Sequence, residues 1–153
     1  RTSIRLICTW RNCPDDSRRM REVRSLTIDE HVIRAQRYAH RKAVSLDIAE
    51  VAEFLQENLG QRVTAMLAGV SDPGSVGRWA KRENRPQPAI DRRLREGYGV
   101  FQLVQSVESP HTVRAWFIGL NPQLDDNESP VEAIAADHFR AVLAAARAFV
   151  AGG

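Results

Sequence analysis

Apolar residues recur at intervals of three and four positions along most of the chain after Ser45, a spacing typical of amphipathic helices. The first such stripe comprises Ile48, Val51, Ala52, Leu55 and Leu59. Gly60 follows this stripe and Gly69 follows the short apolar stretch after it, at positions where glycine commonly ends a helix. No segment alternates with a period of two residues, so the sequence predicts an all-α protein.

The later helices are delimited by proline and by polar residues. Residues 71–73 (Ser-Asp-Pro) precede a third short helix, whose predicted inner face is Val76, Trp79 and Ala80. A polar, proline-containing segment at 84–88 ends it. Further helices are predicted over about 89–107, 110–119, 130–137 and 138–151.

Gly97 and Gly99 lie inside the helix predicted over 89–107. Each disfavours the helix by about 1 kcal/mol relative to alanine. Their presence indicates either a kink or close helix contact, or a weak position that the helix tolerates.

The first 44 residues carry a weaker pattern. Residues 1–25 contain seven arginines, five of them within 11–24, without an amphipathic period, and we interpret this segment as disordered or as sequence upstream of the true start. Thr27 and Glu30 fit a capping box, which predicts a helix over 26–44. Cys8 and Cys13 are interpreted as reduced thiols, because neither disulfide nor zinc partners follow at suitable spacing.

Charge is distributed in blocks along the 153-residue chain, whose net charge is +3. Residues 1–42 have a net charge of +6 and residues 43–60 of −4, while 61–95 have +5 and 96–153 have −4. A local basic block, more than the overall charge, indicates binding to a polyanion. The length fits one domain or one domain with appendages.

The basic block at 61–95 coincides with two short helices joined by a glycine-containing turn, the layout of a helix-turn-helix. Its second helix can bury Val76 and Trp79 while it presents polar and basic side chains to the major groove. The sequence therefore predicts a helix-turn-helix DNA-binding domain over 45–107. Its predicted DNA-binding residues are Gln61, Arg62, Ser71, Ser75, Arg78, Lys81, Arg82 and Arg85. Arg92, Arg93 and Arg95 extend the basic block.

Two stretches then resemble a known family. LGQRVTAMLAGVSDPGSVGRWAKRENRP resembles an Xre-type helix-turn-helix, and residues 115–153 resemble the toxin-binding domain of Xre/MbcA/ParS antitoxins. The matching positions of the second stretch are Trp116, Asn121, Pro122, Leu124, Pro130, Ile134 and Val142. The chain departs from the pattern at 125–128 and at 137–138, where the family often has glycine.

The resemblance implies an Xre-like helix-turn-helix bundle followed by a small toxin-binding domain over 108–153. It implies a cytoplasmic type II antitoxin that forms a homodimer within a larger toxin–antitoxin complex. Such an antitoxin covers the active site of a RES-domain toxin and represses its own operon by binding operator DNA. The NAD-consuming chemistry belongs to that toxin. The residues expected to contact it are Trp116, Asn121, Asp125, Asp126, Phe149, Gly152 and Gly153. The small C-terminal tail either threads into the toxin pocket or frays.

Two other functions compete with this interpretation. A stand-alone transcriptional repressor would use the C-terminal helices for dimerisation alone. An enzyme would need a nucleophile–base pair, a metal cluster or a phosphate-binding loop, and no such motif occurs in the sequence. We therefore expect no catalytic residue, no metal and no cofactor, and no membrane association.

Overall fold

The computed structural model describes residues 16–152, with side chains from residue 29 onward except that of Asp126. Over this range the protein is all-α, as the apolar spacing predicted, with eight helices and a 3₁₀ turn at Asp125–Asn127. The helices are α1 (Asp16–Ser45), α2 (Ile48–Leu59), α3 (Gln61–Ala68), α4 (Gly74–Ala80), α5 (Pro88–Gln105), α6 (Pro110–Ile118), α7 (Pro130–Ala135) and α8 (Phe139–Val150). None of the described helices combines the length and the apolar character needed to cross a membrane.

Helix α1 begins well before the predicted start at residue 26. It starts at Asp16, so residues 16–25, expected to be disordered, have a helical backbone and Thr27 lies inside the helix. The physical reason is that 16–26 contain neither proline nor glycine and are rich in arginine and other good helix formers, so nothing ends a helix there. The rest of the predicted leader, including Cys8 and Cys13, lies outside the described residues.

Capping interactions fix several helix boundaries. The Asp47 carboxylate accepts a hydrogen bond from the Ala49 amide (2.8 Å), and the Asp47 amide donates to Glu50 Oε2 (3.0 Å), which completes a capping box at the start of α2. Ser129 and Glu132 form a second box at the start of α7. Satisfying these otherwise unpaired amides stops each helix from extending backwards.

One contiguous core joins the two predicted domains. Helix α5 packs against α1, α2 and α3 on one side of the boundary at residue 107 and against α6, α7 and α8 on the other. Its Leu94 and Phe101 are fully buried, as are Val76 before the boundary and Ile134 after it. The segments 45–107 and 108–153 are thus distinct in sequence but share one hydrophobic core.

The two glycines of α5 lie in different surroundings. The helix runs from Pro88 to Gln105 without interruption, so neither glycine ends it. A Cβ atom on Gly97 would lie 2.7 Å from Cδ1 of Leu67, which is itself fully buried. A Cβ atom on Gly99 would meet only Ala43, at 4.0 Å. Gly97 therefore permits a close α3–α5 contact, whereas Gly99 occupies a tolerated weak position.

These surroundings predict opposite effects for the same substitution. We expect Gly97→Ala to lower the free energy of unfolding by about 1–2 kcal/mol, because overpacking against Leu67 outweighs the gain in helix propensity. We expect the control Gly99→Ala to raise it by about 0.5–1 kcal/mol. Urea denaturation of the two variants measures both. Equal effects would show that the α3–α5 contact does not constrain position 97.

Candidate functional site

The basic candidate site is built on the short helices α3 and α4 and the turn between them. Gly69, with φ = 73°, ends α3 in the left-handed conformation, and its amide donates to the carbonyl groups of Ala65 and Met66. Helix α4 packs against α2 and α3, with Val76 and Trp79 buried and Ala80 half-buried. This is the predicted inner face, so the other side of α4 faces solvent.

The structure places the predicted DNA-binding residues at the surface of this helix pair. Ser75 is half-buried, and the other seven are exposed: Gln61, Arg62, Ser71, Arg78, Lys81, Arg82 and Arg85. The start of α3 lies beside α4, because a Cβ on Gly77 would be only 3.1 Å from Gln61 Nε2. The absence of a side chain at Gly77 therefore lets the two helices approach closely at the predicted contact surface.

Asp72, in the turn, organises the first part of this surface. Its Oδ1 accepts a hydrogen bond from the Gly74 amide (2.9 Å), and its Oδ2 accepts from Arg78 Nη2 (2.7 Å). Arg78 Nη2 also donates to Ser75 Oγ (2.9 Å). The Arg78 guanidinium, and after it the Gly74 amide, hold the pKa of the Asp72 carboxyl below its usual value.

A second carboxylate, that of Asp47, lies beside the basic loop that follows α4. Its oxygens are 4.0 Å from Arg82 Nε and 3.9 Å from Arg85 Nη2. Arg82 has a φ of 60°, in the left-handed region that favours glycine. Arg82 comes directly after the end of α4, where the Glu83 amide donates to the Arg78 carbonyl (2.9 Å), and a left-handed residue is common at such a helix end. The arrangement holds two of the predicted DNA-binding arginines at one edge of α4.

Of the three further arginines of the basic block, Arg93 and Arg95 are half-buried and bind partners within the fold, whereas Arg92 is exposed. Arg95 donates to Asp91 (2.6 Å) and to the Leu46 carbonyl (2.9 Å), and Arg92 lies over the Phe139 ring at 4.8 Å. The prediction that these arginines extend the basic block did not include these partners, most of which are distant in sequence.

Arg93 joins the turn after α3 to the turn between α7 and α8. Its Nε and Nη2 bind both carboxylate oxygens of Asp137 (2.9 and 3.0 Å), and Nη1 donates to the Ala68 carbonyl (3.3 Å). Asp137 has a φ of 65°, in the left-handed region that glycine adopts most readily. This bidentate pair raises the pKa of Arg93 and lowers that of Asp137.

A second candidate site is an apolar groove at the C-terminal end of the fold. It has a volume of about 350 Å³ and is lined by three residues expected to contact a toxin, namely Trp116, Asn121 and Phe149, together with Leu120. The Trp116 and Phe149 rings lie 6.1 Å apart, and Leu120 is 76% exposed. Leu120 was not predicted as a site residue, although a leucine beside the Asn-Pro turn was visible in the sequence.

The loop after this groove is held in place by short-range hydrogen bonds. Asn121 Oδ1 accepts from the Gln123 amide (3.0 Å), and the Asn121 amide donates to the Glu128 carbonyl (3.2 Å). Buried Leu124 fixes the loop to the core, while Asp125 is exposed. Asn121 and Gln123 of this loop therefore form the polar part of the groove lining.

Of the remaining expected toxin contacts, Asp125 and Gly152 do not line the groove. Gly152 is exposed, and a Cβ there would meet nothing within 4 Å. Gly153 and the Asp126 side chain lie outside the described residues.

The described residues contain no group of three histidine, cysteine or acidic side chains that could hold a metal ion. Comparisons with protein-family models, with curated proteins and with solved structures give no match. The functional inference therefore depends on the two surfaces just described and on the resemblance in sequence.

His138 is predicted to hold the acidic loop in a pH-dependent manner. Its Nδ1 lies 2.9 Å from Glu128 Oε1, and this contact raises the pKa of His138. A raised pKa means that the stabilisation is complete below the ordinary value and is lost as the pH rises through the folded-state value.

We expect Glu128→Gln to lower the pKa of His138 towards its ordinary value of 6.5. The variant should have a lower free energy of unfolding than the wild type at about pH 6, and this difference should be absent at about pH 8.5. An NMR titration of the imidazole protons measures the first effect and urea denaturation the second. Asp125→Asn serves as a control with a smaller shift, because Asp125 acts on His138 without this hydrogen bond. An unchanged titration in Glu128→Gln would contradict the pairing.

Proposed function

We propose that the chain is a type II antitoxin that neutralises a cognate RES-domain toxin and represses its own operon. The observation that carries this proposal is the presence of two chemically different surfaces on one core. One is the basic edge of α3 and α4, and the other is the apolar groove containing Trp116, Leu120 and Phe149. A DNA-binding protein needs the first surface, and a protein partner suits the second.

The basic edge has the chemistry for operator DNA. Arg78 projects from the exposed side of α4, and exposed Lys81 directly follows the helix. Arginine can pair with guanine edges, and lysine can neutralise phosphates. Arg82 and Arg85 follow them in the loop. Gln61 and Arg62, at the start of α3, lie where the first helix of such a pair contacts the DNA backbone. This surface supports autorepression by an Xre-like helix-turn-helix.

The groove has the chemistry for a protein partner. An exposed leucine and two half-buried aromatic side chains beside polar residues resemble the centre and edge of a protein interface. The exposed carboxylate of Asp125, in the loop after the groove, complements the basic mouth expected of an enzyme pocket that accepts NAD. The proposed antitoxin covers that mouth as a dimer within the larger complex, while the NAD chemistry stays with the toxin.

A stand-alone repressor is the alternative, and it assigns the groove to a second copy of the chain. Both proposals include DNA binding, so a gel shift alone does not separate them. The product of the adjacent gene separates the two proposals, because an antitoxin requires that product to be toxic when it is expressed alone.

The DNA surface is tested by single substitutions in the full-length chain. We expect Arg78→Ala or Arg82→Ala to weaken binding to the DNA upstream of its gene by about 1–3 kcal/mol where the side chain contacts a base. Fluorescence anisotropy against that duplex and a scrambled duplex gives the measurement. Equal losses on both duplexes would assign the arginine to phosphate contact. Wild-type binding by both variants would place the recognition surface elsewhere.

The partner surface is tested by co-expression with the adjacent gene. We expect Leu120→Asp to abolish rescue from the toxin, because a carboxylate at the centre of an apolar interface costs about 2 kcal/mol or more. Val107→Asp is the matched control, since Val107 is exposed and apolar but does not line the groove. Arg78→Ala should leave rescue intact.

Three outcomes would contradict this part of the proposal. Full rescue by Leu120→Asp would show that the toxin binds elsewhere. Equal loss in Val107→Asp would show a general effect of the added charge. A harmless product of the adjacent gene would rule out the antitoxin function and leave the stand-alone repressor.

A further inference from the structure

The Arg78 side chain is held in one orientation before any DNA is bound. One of its terminal nitrogens, Nη2, donates both to Asp72 Oδ2 (2.7 Å) and to Ser75 Oγ (2.9 Å). The guanidinium is planar and carries its donors in a rigid fork. Fixing Nη2 therefore restricts the directions available to Nη1 and Nε, which keep donors for a further acceptor.

The backbone beside this pair is shaped to admit it. Gly74 is the first residue of α4, and a Cβ there would lie 3.1 Å from Asp72 Oδ1 and 3.2 Å from Arg78 Nη1. Both contacts are tighter than ordinary van der Waals packing. Glycine at this position thus lets the carboxylate and the guanidinium meet against the start of the helix.

Folding stability does not account for the pair. The side chains of Asp72 and Arg78 are 59% and 44% exposed, and exposed ion pairs contribute little to the free energy of folding. Pre-ordering a long side chain, in contrast, removes a cost that would otherwise accompany binding. A carboxylate beside the DNA-binding surface also repels phosphate groups and so disfavours binding to unrelated sequences.

We propose that Asp72 is a positioning residue that orients Arg78 for base recognition and thereby determines the sequence specificity of the protein. The inference rests on the proposed DNA-binding function and adds to it a residue that contacts no base. Asp72 acts through Arg78, so its effect must disappear when Arg78 is removed.

The test is a double-mutant cycle in the full-length chain. The probes are a duplex enriched by the wild-type protein from a random-sequence library and a scrambled duplex of the same composition. Asp72→Asn keeps an acceptor for the Gly74 amide, so the turn is preserved while the charge is lost. Glu83→Gln removes one negative charge from the same basic block, and Glu83 forms no ion pair within the described residues.

We expect Asp72→Asn to lower the ratio of the two affinities by about tenfold, as for loss of a well-oriented base contact. It should bind the scrambled duplex at least as tightly as the wild type does. In an Arg78→Ala background, Asp72→Asn should leave the ratio unchanged. The control Glu83→Gln should tighten binding to both duplexes equally and preserve the ratio, and thermal unfolding should confirm that all the variants fold.

Each other result overturns a defined part of the account. An unchanged ratio in Asp72→Asn, with a specific wild-type protein, refutes the positioning role and leaves the proposed function intact. A lowered ratio that persists in the Arg78→Ala background shows that Asp72 does not act through Arg78. Failure of the wild-type chain to enrich any duplex overturns the DNA-binding function and this inference with it.

Discussion

The packing of α5 at the centre of the helices is the constraint on which the structure depends. Six other helices contact α5, and its Leu94, Phe101 and Val104 are fully buried among them. At its contact with α3, Gly97 leaves room for Leu67. Helix α4 packs on α2 and α3, and both of these helices pack on α5. Packing at the centre thus sets the geometry of the basic surface.

The same helix connects the two candidate surfaces. The side chain of Arg93 projects from α5 and donates hydrogen bonds to the Ala68 carbonyl at the end of α3 and to Asp137 in the turn before α8. The two surfaces therefore belong to one packed unit, although they differ in chemistry. One presents basic side chains on α3, on α4 and in the loop after α4, and the other presents leucine and aromatic side chains beside polar ones. Such a division of charge and apolar area explains how a chain with a small net charge could serve both a nucleic acid and a protein.

Much of the helical framework could be predicted from local sequence. The predicted boundaries of α5, α6, α7 and α8 lie within two residues of those observed, because proline, glycine and apolar spacing act over a few residues. The start of α1 was wrong, since helix-forming residues without an apolar stripe leave no periodic signal. Contacts between distant segments were also missed. Arg93 and Asp137 are 44 positions apart, and only the folded backbone brings them together.

The central claim is that one chain carries separate surfaces for DNA and for a protein partner, and hydrogen–deuterium exchange of the intact chain tests it most directly. DNA from upstream of its gene should slow exchange at residues 71–85, and the product of the adjacent gene should slow exchange at 115–124 and 145–150. When the DNA and the gene product are both present, both sets of amides should be protected at the same time. Protection of the same residues by both ligands, or protection of the groove by DNA alone, would contradict the claim.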